Sequence, residues 1–249
     1  MWLTFEQPLN EKIRNYLRIE AVTQQVQSHQ AMLLPHGELA YFQALFELME
    51  LVERAELRLE LLKDIERQIM NCQRWSKIDG VDLQQLQQLS QYLSAKQMQL
   101  MHLTRPTASL KEDKLLSAVR QRLSIPGGCG SFDLPQLHFW LAQPLAERQQ
   151  QTQQWLARLE PLTGSVTQLL TLLRSSSDWK EFTARSGSYQ ATVNFNIDLL
   201  RIQVLASNST YPAVSAHRNR FTIHLINHRS AKVDCRDLPI KLCLARESL

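Results

Sequence analysis

Glycine is scarce in this chain, seven in 249 residues. Three of the seven, Gly127, Gly128 and Gly130, fall within four positions. No apolar run approaches the ~18 residues of a membrane-spanning helix. The opening MWLTFEQPLNEK has neither a basic n-region nor a long apolar stretch, which predicts no signal peptide and a cytosolic protein. Four cysteines, Cys72, Cys129, Cys235 and Cys243, are scattered without a CxxC pair. That pattern predicts free thiols in a reducing compartment and no structural zinc. Paired carboxylates, a GxSxG elbow, an HExxH helix and a dinucleotide fingerprint are also missing, which leans against an enzyme.

Excess charge is missing too, until late in the chain. Residues 1–175 carry 18 basic and 18 acidic side chains, so the net charge of +4 arises in residues 176–249, with 10 basic and 6 acidic. The surplus predicts a partner of negative charge: nucleic acid, anionic lipid or an acidic peptide.

The sequence changes character near residue 176. Before it, Leu- and Gln-rich segments repeat at helical spacing. Leu9 to Gln27 reads as a helix capped by Asn10, with Arg14 and Arg18 on one edge. Leu39 to Met70 reads as one long helix, with Leu45, Leu48, Val52, Ala55, Leu59, Leu62 and Ile69 stepping by three and four. Such a seam packs within a bundle or against a second copy. Asp82 to Met101 is another helix. Ser109 and Glu112 form a capping box for a helix to about Leu123 that carries Lys114, Arg120 and Arg122. Three further helices open near Pro135, Pro144 and Pro161.

After residue 176 the period becomes two. Four strands are predicted around Tyr189–Phe195, Leu200–Val204, Phe221–Leu225 and Leu238–Leu244, with one wet face. Trp2–Phe5 reads as a fifth strand that pairs with them. The expected fold class is α+β: an N-terminal multi-helix bundle with a C-terminal antiparallel β domain joined by the N-terminal strand. The expected boundaries are 9–175 for the helical domain and 176–249 plus 1–8 for the β domain.

Each chemical candidate meets a plainer reading. Gly127 to Gly130 lacks the Lys-Ser/Thr and the preceding strand of a phosphate loop. It reads better as a joint in which the glycines end one helix and Asp133 caps the next. Cys129 and His138 could form a thiol–base pair, but no third group orients them. His224 and His228 would lie ~13 Å apart on a strand, too far for one metal ion. A basic constellation is the stronger lead. Arg14, Arg18, Lys114, Arg120, Arg122, His138, His217, Arg218 and Arg220 flank the predicted domain joint and could line one positive groove. Nucleic acid would call for a denser basic stripe or aromatic platforms.

FEQPLNEKIRNYLRIE, ELLKDIERQ, KEDKLLSAVRQRLSIPGGCGSFDLPQLHFWL, LEPLT and YPAVSAHRNRF run nearly end to end. In these segments the chain resembles the ZapD family, bacterial division proteins associated with FtsZ. The resemblance implies a helical and a β domain, a homodimer formed through the helical part, binding of the C-terminal tail of FtsZ, and cross-linking of filaments into bundles at midcell. With the missing motifs and the balanced helical region, the expectation is no catalysis, cofactor, metal, nucleic acid or membrane partner, and a cytoplasmic place at the division septum. Joined to the charge pattern, the resemblance makes Arg14, Arg18, Lys114, Arg120, His138, Arg218 and Arg220 the expected contacts of the acidic tail, with Arg122, Gly127 and Gly128 shaping the joint. The alternatives are a basic nucleic-acid-binding module and a thiol hydrolase using Cys129 and His138.

Overall fold

Helix α1 (Glu11–Ala31) begins where the sequence places a cap: Asn10 Oδ1 accepts from the Ile13 amide at 2.8 Å. Ile13, Tyr16, Ile19, Val22 and Val26 form its buried stripe. The computed structural model describes residues 1–31, 38–54, 56–217 and 219–246, so the expectations for Ala55 and Arg218 fall outside the described residues. The chain divides into two units, Leu17–Leu169 (the helical unit) and Met1–Tyr16 with Leu170–Leu249 (the sheet unit).

In the helical unit, α2 (Glu38–Val52) buries nine of its fifteen residues. A helix apolar nearly all round belongs in the middle of a bundle. Only Gln43, Glu47 and Glu50 reach the surface fully. Around Phe42 gather Tyr41, Phe46, Trp140 and Trp155, with ring centroids 5.4–6.3 Å from Phe42.

The single helix expected over Leu39–Met70 is two. α2 ends at Val52 and α3 runs from Leu57 to Trp75. Glu53, just past α2, accepts from Thr107 Oγ1 at 2.9 Å and from Lys111 Nζ. After the break the buried face shifts to Leu57, Leu61, Ile65 and Cys72, while Leu59 is 54% exposed. Arg58 then reaches the end of α4 (Leu83–His102), donating Nε to Leu100 O at 2.6 Å and Nη2 to Met101 O at 2.9 Å. A guanidinium there satisfies helix-end carbonyls and favours the negative end of the dipole.

Local caps also depart from expectation. The Ser109 box does not form: α5 (Ala108–Lys111) is one turn whose cap residue, Thr107, makes no side-chain cap bond. Asp113 caps α6 (Lys114–Leu123), accepting from the Leu115 and Leu116 amides at 2.9 and 3.0 Å, and its other oxygen accepts from Trp155 Nε1 at 3.1 Å. The buried indole fixes the carboxylate, which Ser109 lacks. Asp133 does not cap α7 (Pro135–Leu141). Leu134 takes the cap position, and Asp133 lies 3.8 Å from Arg122 Nη1.

Pro161 opens no helix, because α8 runs unbroken from Leu145 to Arg174. An interior proline costs ~3 kcal/mol. Leu159, Leu162 and Val166 around it are almost wholly buried. At roughly 1.5–3 kcal/mol each, they outweigh that cost.

The sheet unit holds seven strands rather than five: β1 (Trp2–Pro8), β2 (Lys180–Ala184), β3 (Ser188–Thr192), β4 (Leu199–Leu205), β5 (Thr210–His217), β6 (Arg220–Asn227) and β7 (Leu238–Ala245). They form two antiparallel sheets, ordered β1-β4-β7-β2 and β3-β6-β5. The N-terminal strand pairs along its length with β4, from Trp2 opposite Leu205 to Pro8 opposite Leu199. Alternate residues of both sheets, Leu200, Ile202, Val204, Ile240 and Leu242 from one and Phe221, Ile223 and Leu225 from the other, meet in one core cluster. That is sheet-on-sheet packing.

On the outer side of the larger sheet, Glu6 sits opposite Arg201 and accepts from its Nε at 2.9 Å. Arg174 adds a forked pair, Nε and Nη2 at 2.9 and 2.7 Å. Burial alone would push the Glu6 carboxyl up. The two guanidiniums outweigh it and hold the group below the usual carboxylate range.

Candidate functional site

The glycine-rich segment forms one wall of a cleft of about 870 Å³ in the helical unit, with Glu38, Leu39, Gln43, His138, Leu141 and Arg148 among the other residues around it. Gly127 has φ +73°, and a Cβ on Gly128 would come within 2.8 Å of Arg122 O and Ile125 Cβ. Only glycine fits both demands. The cleft is ill-suited to phosphate: Glu38 is buried in its wall, and Glu38 Oε2 has no hydrogen-bond partner among the described residues. An anion there would meet a carboxylate. Cys129 and His138 do line the same cleft. Burial pushes the Cys129 thiol up, and the charge of Glu38 pushes it further. A nucleophilic cysteine needs the opposite shift.

The basic residues are distributed over both units. Arg14 and Arg18 lie one turn apart on α1; Arg14 Nε is 3.1 Å from Glu11 Oε1, and Arg18 is exposed with no side-chain partner among the described residues. Lys114 opens α6, exposed and likewise unpartnered among the described residues. Arg120, in the last turn of α6, stands about 9 Å along the axis and ~120° round from Lys114. It is 2.9 Å from Glu50 and lies over the Phe46 ring, beside a smaller cleft of about 380 Å³. His138 is exposed on α7 and lines the larger cleft, so Arg120 and His138 face different clefts.

In the sheet unit, Arg220 opens β6 opposite His217. The Gln190 amide oxygen, turned toward it, accepts from Nε at 3.1 Å and Nη2 at 2.6 Å. Arg218 lies outside the described residues. Sequence reasoning missed Gln190, Glu50 and Glu11 as the groups that orient these arginines. The i,i+3 spacing of Glu11 and Arg14 was a readable signal, whereas Glu50 and Gln190 come from distant segments.

Among the described residues, no group of three or more His, Cys, Asp or Glu is placed to hold a metal ion, and no helix is long and apolar enough to cross a membrane.

The chain matches the model of the family described as ZapD, cell division protein, over residues 17–224. The chain belongs to the ZapD family. It is 44% identical over 225 residues to the cell division protein ZapD of Shewanella sp. (strain MR-4), covering 90% of this chain and 91% of that protein. The ZapD of Shewanella baltica (strain OS185) is 42% identical over 241 residues, covering 96% and 97%. That of Escherichia coli O139:H28 (strain E24377A / ETEC) is 43% identical over 222 residues, covering 89% and 90%. Membership places the chain among cell division proteins, a family named for a cellular process and not for a reaction. The ZapD match takes in Arg18, Lys114, Arg120, His138 and Arg220, and begins after Arg14.

Proposed function

We propose that this chain binds the acidic C-terminal tail of FtsZ and, as a homodimer, cross-links FtsZ filaments into bundles that promote Z-ring assembly at midcell, in the cytoplasm. The observation that carries this reading is the set of exposed or weakly held cations in a chain of a cell division family. Arg18 and Lys114 have no side-chain partner among the described residues; Arg14 and Arg120 are held by surface carboxylates, and Arg220 by a neutral amide. Surface ion pairs are worth ~0–1 kcal/mol, so an incoming carboxylate exchanges with them at little cost. Arg14, Arg18, Lys114, Arg120, His138, Arg218 and Arg220 are the contacts that receive the acidic tail.

The helical unit also carries exposed apolar side chains that a second copy could cover. Helices α3 and α4 pack together. Leu59 and Met70 on α3, and Leu83, Met98 and Met101 on α4, are exposed. At ~100° per residue, the α3 pair falls within ~20° and the α4 trio within ~60° around its helix. A dimer carries two tail contacts and a filament displays many tails, so bridging raises avidity without new contacts.

The test is sedimentation of FtsZ polymers, with and without their C-terminal tail. Wild-type protein should pellet with full-length polymers and stay in the supernatant with tail-less ones, with binding that falls as salt rises. Arg220→Glu should lose pelleting while keeping its dimer mass. Equal pelleting of the charge-reversed protein would remove Arg220 from the contact set, and a monomer at micromolar concentration would end the bridging mechanism. Displacement by duplex DNA instead of tail peptide would favour a nucleic-acid module.

A further inference from the structure

The smaller sheet ends on an open edge. β5 is the outer strand of the order β3-β6-β5. Its outward backbone groups follow from the bonds of its neighbour. The Leu225 amide donates to Gly187 O, and Leu225 O accepts from the Asp234 amide, each at 2.8 Å and each on the side away from β5. Leu225 sits opposite Pro212, so that pair exchanges no ladder bonds. The His228 amide, one step out of phase, donates to Ser209 O at 2.9 Å, toward the β5 side. Pro212 therefore aims its backbone outward, where its missing N–H costs nothing. By the period of two, Val214 and Ala216 aim an N–H and a C=O each the same way. Among the described residues, nothing outside β5 bonds to these groups.

Edge strands are normally blunted by charges, proline, bulges or cover; on β5 Pro212 blunts one end and leaves Val214 and Ala216 open. β5 reads TYPAVSAH and carries no charged side chain before His217. Its two faces differ. Tyr211, Ala213, Ser215 and His217 lie on the exposed face, level with His224 and Arg220 of β6. Pro212, Val214 and Ala216 lie on the other, and Val214 packs against the core cluster. β3, β5 and β6 contain no Asp or Glu at all.

We propose that β5 takes up an extended acidic peptide as an added strand. Val214 and Ala216 would exchange main-chain bonds with it. Carboxylates would fall on the side of His217, Arg220 and His224, and apolar side chains on the side of Pro212 and Val214. Main-chain bonds supply affinity and alternate side chains supply specificity in this mode of recognition. The inference deepens the tail-binding reading and rests on it for the source of the peptide.

The experiment uses the wild-type dimer and three synthetic FtsZ C-terminal tail peptides: the parent, one N-methylated at odd positions and one at even positions. Strand addition aims only every second peptide N–H at β5. One methylated peptide should therefore lose roughly tenfold or more in affinity, on the order of one or two net hydrogen bonds, while the other binds like the parent. Hydrogen exchange of the Val214 and Ala216 amides should slow when the parent binds. If the parent binds but the two methylated peptides are affected equally, or those amides exchange unchanged, the added strand is wrong and the tail reading stands. If the parent itself does not bind, both fall.

Discussion

Around α5 and α6 in the helical unit, three cations meet acids: Lys111 with Glu53, Arg120 with Glu50 and Arg122 with Asp133. In the smaller sheet of the other unit, Arg220, His217 and His224 share one face with no acid on any of the three strands. The first surface is nearly balanced and is screened within about a Debye length. The second keeps a basic charge, Arg220, that no acid on its own strands offsets, the sign an anionic partner would need to meet. The sheet unit does hold well-paired acids, Glu6 with Arg174 and Arg201, and Asp234 with Arg236. These stand on other strands and loops, so the smaller sheet is left positive by placement and not by total charge.

The contrast extends to stability, where it can be broken most clearly. Trp155 is 3% exposed and stacks on Tyr41 and Trp140. Trp155→Ala should cost ~3–5 kcal/mol, read as a fall in urea midpoint of similar size at pH 7 and in mild acid. Glu6→Gln should cost about 2 kcal/mol at pH 7, the range of bonds to charged groups. Its folded carboxyl is depressed, so the stability it contributes is full above the ordinary carboxylate range and is lost as pH falls through the depressed value. Midpoints of wild type and Glu6→Gln should therefore converge in acid, and a constant gap would contradict the two-arginine account. Asp82 caps α4 through the Gln84 and Gln85 amides. Asp82→Ala should cost ~1 kcal/mol, seen by the same titration. Glu50→Gln is the smallest case: stability within about 0.5 kcal/mol, because the pair is exposed. Its tail-peptide affinity should rise about twofold as Arg120 is released, roughly 0.4 kcal/mol. No gain would drop Arg120 from the tail contacts.

What was legible follows from how local each determinant is. The α+β division, the Asn10 cap, the run of α4 and the N-terminal strand were readable, because periodicity and short-range caps specify them. The break after Val52 was not: the residue just past it, Glu53, meets Thr107 and Lys111, more than fifty residues on. Pro161 misled because core burial overrides a local breaker. The two missed strands, β2 (KEFTA) and β5 (TYPAVSAH), carry few large apolar residues at alternate positions, so the period of two is faint in them. Of the candidate site, the residue types could be read, but their partners could not, since Gln190 reaches Arg220 only through strand pairing.

The pairing of β1 with β4 sets an order in time. β1 leaves the ribosome roughly 190 residues before its partner strand. At about 5–20 residues per second, the interval is on the order of 10–40 s. Throughout it Trp2 and Phe5 ride on an unpaired strand, while the whole of Leu17–Leu169 is synthesised. The sheet unit is thus the first begun and the last closed, and any pause in translation before Leu199 lengthens the time its opening strand can find a wrong neighbour.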